Sequence, residues 1–106
     1  MGTGESGFVF DAVHDTYSTQ KQVYESVGAP VVQQVLHGFN ATIFAYGQTG
    51  SGKTHTMSGV RENAGIIPRL VKDLFASKEM QDGTIRISIL EIYCENLKDL
   101  LVSFFY

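Results

Sequence analysis

Residues 47–54 combine glycines, a lysine and a hydroxyl side chain at a spacing that suits the binding of a phosphate chain. The segment matches the pattern G-x-x-x-x-G-K-[ST] and reads Gly47, Gln48, Thr49, Gly50, Ser51, Gly52, Lys53 and Thr54. The glycines permit positive φ angles and let backbone N–H groups close around phosphate oxygens. Lys53 supplies a mobile positive charge for the β- and γ-phosphates, and the Thr54 hydroxyl suits Mg²⁺. The segment therefore predicts a nucleotide phosphate site with Thr54 on the metal.

Three further residues have types that take part in chemistry elsewhere. His55 follows the loop, where either contact with a bound base or plain packing is open. Cys94 is predicted to be a buried hydrophobe, because no basic residue or second cysteine adjoins it to lower the pKa of its thiol. Glu91 is predicted to be a surface or paired carboxylate rather than a magnesium ligand, because the apolar strand pattern continues through Ile92 and Tyr93.

Composition places the chain among globular proteins and limits its size to a single domain. It has 106 residues, 43% of them hydrophobic, with 8 Lys+Arg against 11 Asp+Glu, a net charge of −3 and one cysteine. One cysteine excludes an internal disulfide or a cysteine-based zinc site. The negative charge argues against binding to nucleic acid or to an anionic membrane by bulk charge. No apolar run is long enough to span a bilayer, and the first residues do not resemble a signal peptide, so we expect an intracellular protein.

The first half of the chain predicts a polar lead-in, a brief strand and an amphipathic helix. Residues 1–7 form the lead-in, and residues 8–10 the strand. Thr19 and Gln22 make a capping-box pattern that starts a helix. Its apolar stripe repeats every four residues and consists of Val23, Val27, Val31 and Val35, widened by Tyr24, Val32 and Leu36. Pro30 predicts a kink or a restart, and Gly38 predicts the end.

The second half alternates strand and helix patterns, which predicts an α/β fold. We expect a strand buried on both faces at 41–46, a loop at 47–52 and a helical turn from Lys53 to about Ser58. A surface loop at 59–65 should lead to a helix from Ile66 to about Ser77, with Pro68 in its first turn. A turn at Asp82 and Gly83 should then precede a strand from Ile85 to about Tyr93. The type of segment 96–101 stays open. Four phenylalanines are spaced as core residues, namely Phe8, Phe10, Phe44 and Phe75.

Residues 40–57, with the loop at their centre, resemble the phosphate-loop signature of the kinesin motor domain. Tyr46-Gly47-Gln48-Thr49 precedes the lysine, and Lys53-Thr54-His55-Thr56-Met57 follows, which is far more specific than a general phosphate loop. Three flanking pieces agree in order: Phe8-Val9-Phe10-Asp11, Gly65-Ile66-Ile67-Pro68-Arg69, and Leu90-Glu91-Ile92-Tyr93 leading to Asp99-Leu100-Leu101. The resemblance covers residues 8–101.

The resemblance implies a fold, ligands and a partner. The fold is a partial phosphate-loop NTPase domain, with mainly parallel central strands flanked by helices. Mg-ATP is the implied ligand, with residues 47–54 on the phosphates, Thr54 on Mg²⁺ and His55 near the adenine. The implied function of the complete protein is ATP-dependent movement along microtubules, in the cytoplasm and on the cytoskeleton, with tubulin as partner and neither nucleic acid nor membrane.

The departures from the family pattern concern adenine contact, hydrolysis and the tubulin-binding helices, which are missing here. The opening Arg-x-Arg-Pro strand, the serine-rich first switch and the Asp-Leu-Ala-Gly second switch are absent from the sequence. We therefore expect a partial motor domain at 8–101, followed at 102–106 by an apolar tail outside the family and derived from a truncated gene model. No catalytic residue is assigned, and turnover by these residues is left open. Two alternatives remain: a truncated, non-catalytic module that binds nucleotide or a partner, and an unrelated phosphate-loop NTPase or kinase, whose acidic strand end and base-recognition residues are not found.

Overall fold

The computed structural model describes residues 7–102. Along the chain the elements are α1 (Gln20–Leu36), α2 (Lys53–Met57), β1 (Gly59–Val60), β2 (Asn63–Ala64), α3 (Ile66–Ala76), a 3₁₀ turn (Lys78–Met80), β3 (Leu90–Tyr93) and β4 (Asn96–Asp99). No helix among these residues is long and apolar enough to cross a membrane. Most of the predicted lead-in and most of the predicted tail lie outside the described residues.

The ends of α1 are confirmed as predicted. At its start the Thr19 hydroxyl accepts the Gln22 N–H at 3.2 Å, and the Gln22 side chain accepts the Thr19 N–H at 2.8 Å. At its end Gly38 has φ 89°, and the two N–H groups of Gly38 and Phe39 donate back to the last turn. This is a Schellman ending, which requires the left-handed backbone that glycine adopts most readily. The helix continues through Pro30, so the predicted restart does not occur.

The apolar core lies where α1 packs on α3. Its buried hydrophobic side chains are Tyr24, Val32 and Ile66. On α1 the buried residues recur every four positions as Gln20, Tyr24, Gly28 and Val32. The stripe is therefore rotated from the predicted valine stripe, because Val27 and Val35 are 37% and 40% exposed.

A hydrogen bond joins the same two helices. The Tyr24 hydroxyl donates to Asp73 Oδ2 on α3 at 2.5 Å. Position 28, one turn further along α1, requires a residue without a side chain, because a Cβ at Gly28 would overlap the Tyr24 ring.

Two antiparallel hairpins provide the strands of the described residues. The first pairs β1 with β2 and replaces the surface loop predicted at 59–65. The second pairs β3 with β4, placing Glu91 opposite Lys98. Its two-residue turn consists of Cys94 and Glu95, with φ 47° and 64°, the left-handed pair that a type I′ hairpin turn requires. The prediction that Cys94 is buried is wrong, since the turn leaves this free cysteine exposed.

Three predicted strand segments do not pair in the described part of the chain. Residues 8–10 and 85–89 form no strand, so the brief strand at 8–10 is wrong and the later one begins only at Leu90. Residues 41–46 also have no strand partner, so the parallel central strands are not confirmed. The predicted phenylalanine core is wrong, with exposures of 85% for Phe8, 69% for Phe10, 82% for Phe44 and 63% for Phe75. Apolar strand residues become buried only when another segment packs on them, and the described residues do not include such a segment.

The total accessible surface is large for the mass of the chain. It is 9773 Å², against about 5,900 Å² for a compact monomer of the same 11.7 kDa mass. The radius of gyration, 17.5 Å, also exceeds the roughly 13 Å of a compact 100-residue domain. The chain therefore buries too little surface to form the large core typical of a domain of this length.

We predict that alkaline pH loosens the contact between α1 and α3. Burial of the ring, the hydrogen bond to Asp73 and the negative charge of Asp73 raise the pKa of Tyr24, while the positive charge of Arg69 offsets part of the effect. A tyrosine in an unfolded chain ionises at about pH 10. The stabilising contribution of Tyr24 is therefore full below about pH 10 and is lost as the pH rises further.

The measurement is the tyrosinate absorbance of the chain, which has five tyrosines. One of them should ionise later than the rest, and Tyr24→Phe should remove that late component. The exposed Tyr17 supplies the control, since Tyr17→Phe should leave the late component in place. A titration in which both variants behave alike would show that Tyr24 is not protected.

Candidate functional site

The loop at 47–52 is confirmed as an irregular segment between an extended stretch and a helix. Gly50 and Gly52 have φ angles of 80° and 94°, which side chains larger than hydrogen adopt only under strain. Gly47 has a φ angle of 156°, which side chains also rarely adopt, and a Cβ at this position would lie 2.6 Å from Ser51 Oγ. The Ser51 N–H donates to the Gln48 carbonyl at 3.2 Å and closes a turn within the loop. The glycine positions of the motif are thus explained by backbone geometry alone.

Lys53 folds back over this loop. Its Nζ donates to the carbonyls of Gly47 and Gln48, each at 2.8 Å. The ammonium group is therefore held above the concave side of the loop by two backbone oxygens, and the side chain is only half exposed. A flexible four-carbon stem lets a lysine exchange such neutral acceptors for anionic oxygens, with which it forms stronger, charge-assisted bonds.

The helix that follows the loop is short, as predicted. α2 spans five residues, and Gly59 with φ 67° turns the chain away. The Gly65 N–H donates to the Ser58 carbonyl at 3.0 Å, so both ends of the first hairpin meet at the end of α2. Side chains at either glycine would overlap backbone, at Gly59 the Asn63 carbonyl and at Gly65 the Thr56 carbonyl. The hairpin thus ends α2 and begins α3 within one compact junction.

Thr54 and His55 are both exposed in the first turn of α2. With Lys53 and loop residues they border a depression of about 370 Å³. His55 also borders a larger cleft of about 670 Å³ between the loop and the start of α1. Among the described residues no three His, Cys, Asp or Glu side chains gather as a metal site.

Sequence reasoning missed the contribution of the segment before α1. The larger cleft is walled by polar side chains of this segment and of α1, namely His14, Asp15, Thr16, Ser18, Thr19 and Gln20. Gln20 is 6% exposed, and its Nε2 donates to the His55 carbonyl at 2.6 Å. The signal was present in the helical repeat, because Gln20 occupies a position of the buried stripe where an apolar residue is expected.

Comparison with known proteins identifies the family of the chain. The sequence model of the family described as the kinesin motor domain matches residues 2–104. The chain belongs to the kinesin motor domain family. Kinesin-like protein 5 of Schizosaccharomyces pombe is 50% identical over 100 residues, which are 91% of this chain and 11% of that protein. Human centromere-associated protein E is 46% identical over 101 residues, covering 92% of this chain and 4% of that protein.

A solved structure of a kinesin is similar to this chain. It is KIF14 residues 391–755 with ADP in complex with a microtubule, which shares 42% sequence identity with this chain and has a TM-score of 0.61. The match covers 89% of this chain and 27% of that one. The overall fold is therefore that of a phosphate-loop NTPase of the kinesin type. The chain spans about a tenth or less of the length of these two curated relatives.

Proposed function

We propose that this chain is the ATP-binding portion of a kinesin-like microtubule motor, with residues 47–54 on the phosphates. The observation that carries the proposal is the position of Lys53 Nζ over the loop, 2.8 Å from two loop carbonyls. In this proposal phosphate oxygens replace these carbonyls as the acceptors of the Lys53 ammonium. The family membership supports the same ligand, because the KIF14 structure contains ADP.

The remaining residues divide between metal and base in this proposal. Thr54 lies in the first turn of α2 and offers its hydroxyl to Mg²⁺. His55 is exposed at the edge of the larger cleft, which is open to an adenine and ribose. Gln48, Thr49 and Ser51 contribute backbone groups of the loop rather than charge.

A magnesium ion fits the site only together with the nucleotide. Mg²⁺ usually keeps several waters and takes its other ligands from carboxylates and substrate phosphates. Among the described residues, Thr54 supplies one oxygen and no carboxylate cluster joins it. When bound, the ion neutralises charge on the β- and γ-phosphate oxygens. The role of the protein is to hold the Thr54 hydroxyl oxygen beside the loop.

Microtubules are the proposed partner, and the cytoplasmic cytoskeleton is the proposed location. The support is family membership together with the KIF14 structure, which is a complex with a microtubule. In the complete motor we further propose that residues 41–46 form a central strand with parallel neighbours. The proposal that this segment is a strand is supported by its alternating burial pattern, in which Ile43 and Ala45 are half-buried while Phe44 and Tyr46 face solvent.

A second candidate function is nucleotide binding without turnover. Two observations favour it for these 106 residues by themselves: the sequence contains neither switch motif, and the accessible surface of 9773 Å² indicates incomplete packing. Positioning of an attacking water requires a group beyond the phosphate cradle. The two candidates share the loop and differ only in hydrolysis.

The phosphate site is tested by removing its cation. Lys53→Ala should weaken ATP binding by roughly tenfold or more, because a charge-assisted hydrogen bond contributes about 1.5–3 kcal/mol. Lys72 is exposed on α3 and provides the matched control, since Lys72→Ala should change the affinity little. Titration with a fluorescent ATP analogue measures both. Equal effects of the two substitutions would place the nucleotide elsewhere.

The metal ligand is tested by deleting one hydroxyl. Thr54→Ala keeps every loop glycine, so ATP should still bind without metal while the gain in affinity on adding Mg²⁺ shrinks. Calorimetry with and without Mg²⁺ gives the two affinities. Thr56→Ala, two residues along the same helix, is the control. A full magnesium effect in Thr54→Ala would remove this residue from the metal site.

Hydrolysis separates the two candidate functions. The purified 106-residue chain should show no ATPase activity that rises with added microtubules, because the switch motifs are missing from its sequence. It should also melt without a cooperative transition, since so much apolar surface is exposed. Steady-state phosphate release and calorimetric melting are the measurements. Turnover stimulated by microtubules would contradict the second candidate and establish the first for this chain.

A further inference from the structure

Gln20 makes a contact across the chain that the phosphate-loop motif does not include. Its side chain is the buried polar one among the described residues, at 6% exposure. Its Nε2 donates to the main-chain carbonyl of His55 at 2.6 Å, although the two residues are 35 positions apart. A buried amide that makes such a bond fixes the distance between its two elements.

The His55 carbonyl depends on this partner because α2 is so short. In a longer helix it would accept the N–H of residue 59, but Gly59 has already turned out of the helix with φ 67°. No bond from the Gly59 N–H to this carbonyl is present in the described residues. The last carbonyls of every helix need outside partners, and here a side chain of α1 provides one.

The start of α1 is itself held firmly, so Gln20 is presented from a fixed base. Asp15 Oδ1 accepts the Tyr17 N–H at 2.9 Å and the Ser18 hydroxyl at 3.1 Å. Thr19 and Gln22 then form the capping box that begins the helix. Gln20 follows as the first helical residue and points toward α2, where it also borders the larger cleft.

We propose that Gln20 is a positioning residue for the phosphate loop. By holding the His55 carbonyl it keeps the first turn of α2 in place, and with it the Thr54 hydroxyl one residue before and the Lys53 ammonium two residues before. It acts through the main chain and not by contact with phosphate. The inference rests on the proposed nucleotide site, and it adds that the start of α1 controls the affinity of that site.

The test compares the same substitution at two glutamines of α1. Gln20→Met keeps the length of the side chain and removes the donor. Gln34→Met makes the same change at an exposed position near the other end of the helix. ADP affinity should fall on the order of fivefold in Gln20→Met and stay unchanged in Gln34→Met, because one buried hydrogen bond is lost only in the first. Amide hydrogen exchange without nucleotide should speed up at residues 53–57 in Gln20→Met alone.

A second variant separates positioning from general loss of structure. Gln20→Glu has the shape of glutamine, lacks the donor when ionised and regains an O–H donor when protonated. Burial at this position should raise the pKa of the introduced glutamate above its ordinary value of about 4.3, so at about pH 5 the ADP affinity should exceed that of Gln20→Met, while at pH 8 it should fall to or below it. His14, Asp15 and His55 border the same cleft in both variants, so the two variants are compared with each other at each pH. Far-UV ellipticity should stay constant across the variants.

The outcomes are distinct. Weaker ADP binding with faster exchange in Gln20→Met, and recovery of affinity in protonated Gln20→Glu, support the inference. Faster exchange with unchanged affinity, or no change in either, overturns it. Absence of ADP binding by the wild-type chain overturns the proposed nucleotide site, and with it the positioning role.

Discussion

The packing of α1 against α3 is the constraint on which the described part of the structure depends. Tyr24, Val32 and Ile66 form its buried centre. Once these two helices are fixed, the start of α1 is set on one side of α2 and the start of α3 on the other. Gln20 reaches α2 from the first side, and Gly65 meets the Thr56 carbonyl from the second. A five-residue helix too short to be stable by itself is thereby contacted by two other elements, at His55 and at Thr56.

The phosphate loop needs less support than the helix that follows it. Its shape arises from local backbone freedom at Gly50 and Gly52, from the close approach of Gly47 to Ser51, and from the return of Lys53 onto the loop. These are interactions within seven residues. The orientation of the loop relative to a base or a metal, in contrast, depends on α2, and therefore on contacts with segments 35 or more residues away or with the hairpin junction.

Sequence patterns predicted the features that are decided locally. The capping box at Thr19, the glycine ending at Gly38, the short α2 and the loop itself all follow from residues within one or two turns of each other. Predictions that depended on contacts between residues far apart in the sequence were less accurate. The phenylalanines were assigned to a core by apolarity alone, and no described segment covers them. Cys94 was assigned by residue type, whereas a left-handed turn decides its exposure. The role of Gln20 was missed because a single polar residue in an apolar stripe does not form a recognisable sequence motif.

The junction between α2 and α3 has a consequence for how this family can vary in length. Ser58 and Gly65 are joined by a backbone hydrogen bond, so the chain between them leaves and returns at one point. Arg61 and Glu62 at the tip of the hairpin are exposed. Residues inserted there would extend into solvent and add only a slowly growing loop entropy, while both helices and the phosphate loop stay in place. The tip of this hairpin is therefore the part of the junction where an inserted segment would disturb the two helices least.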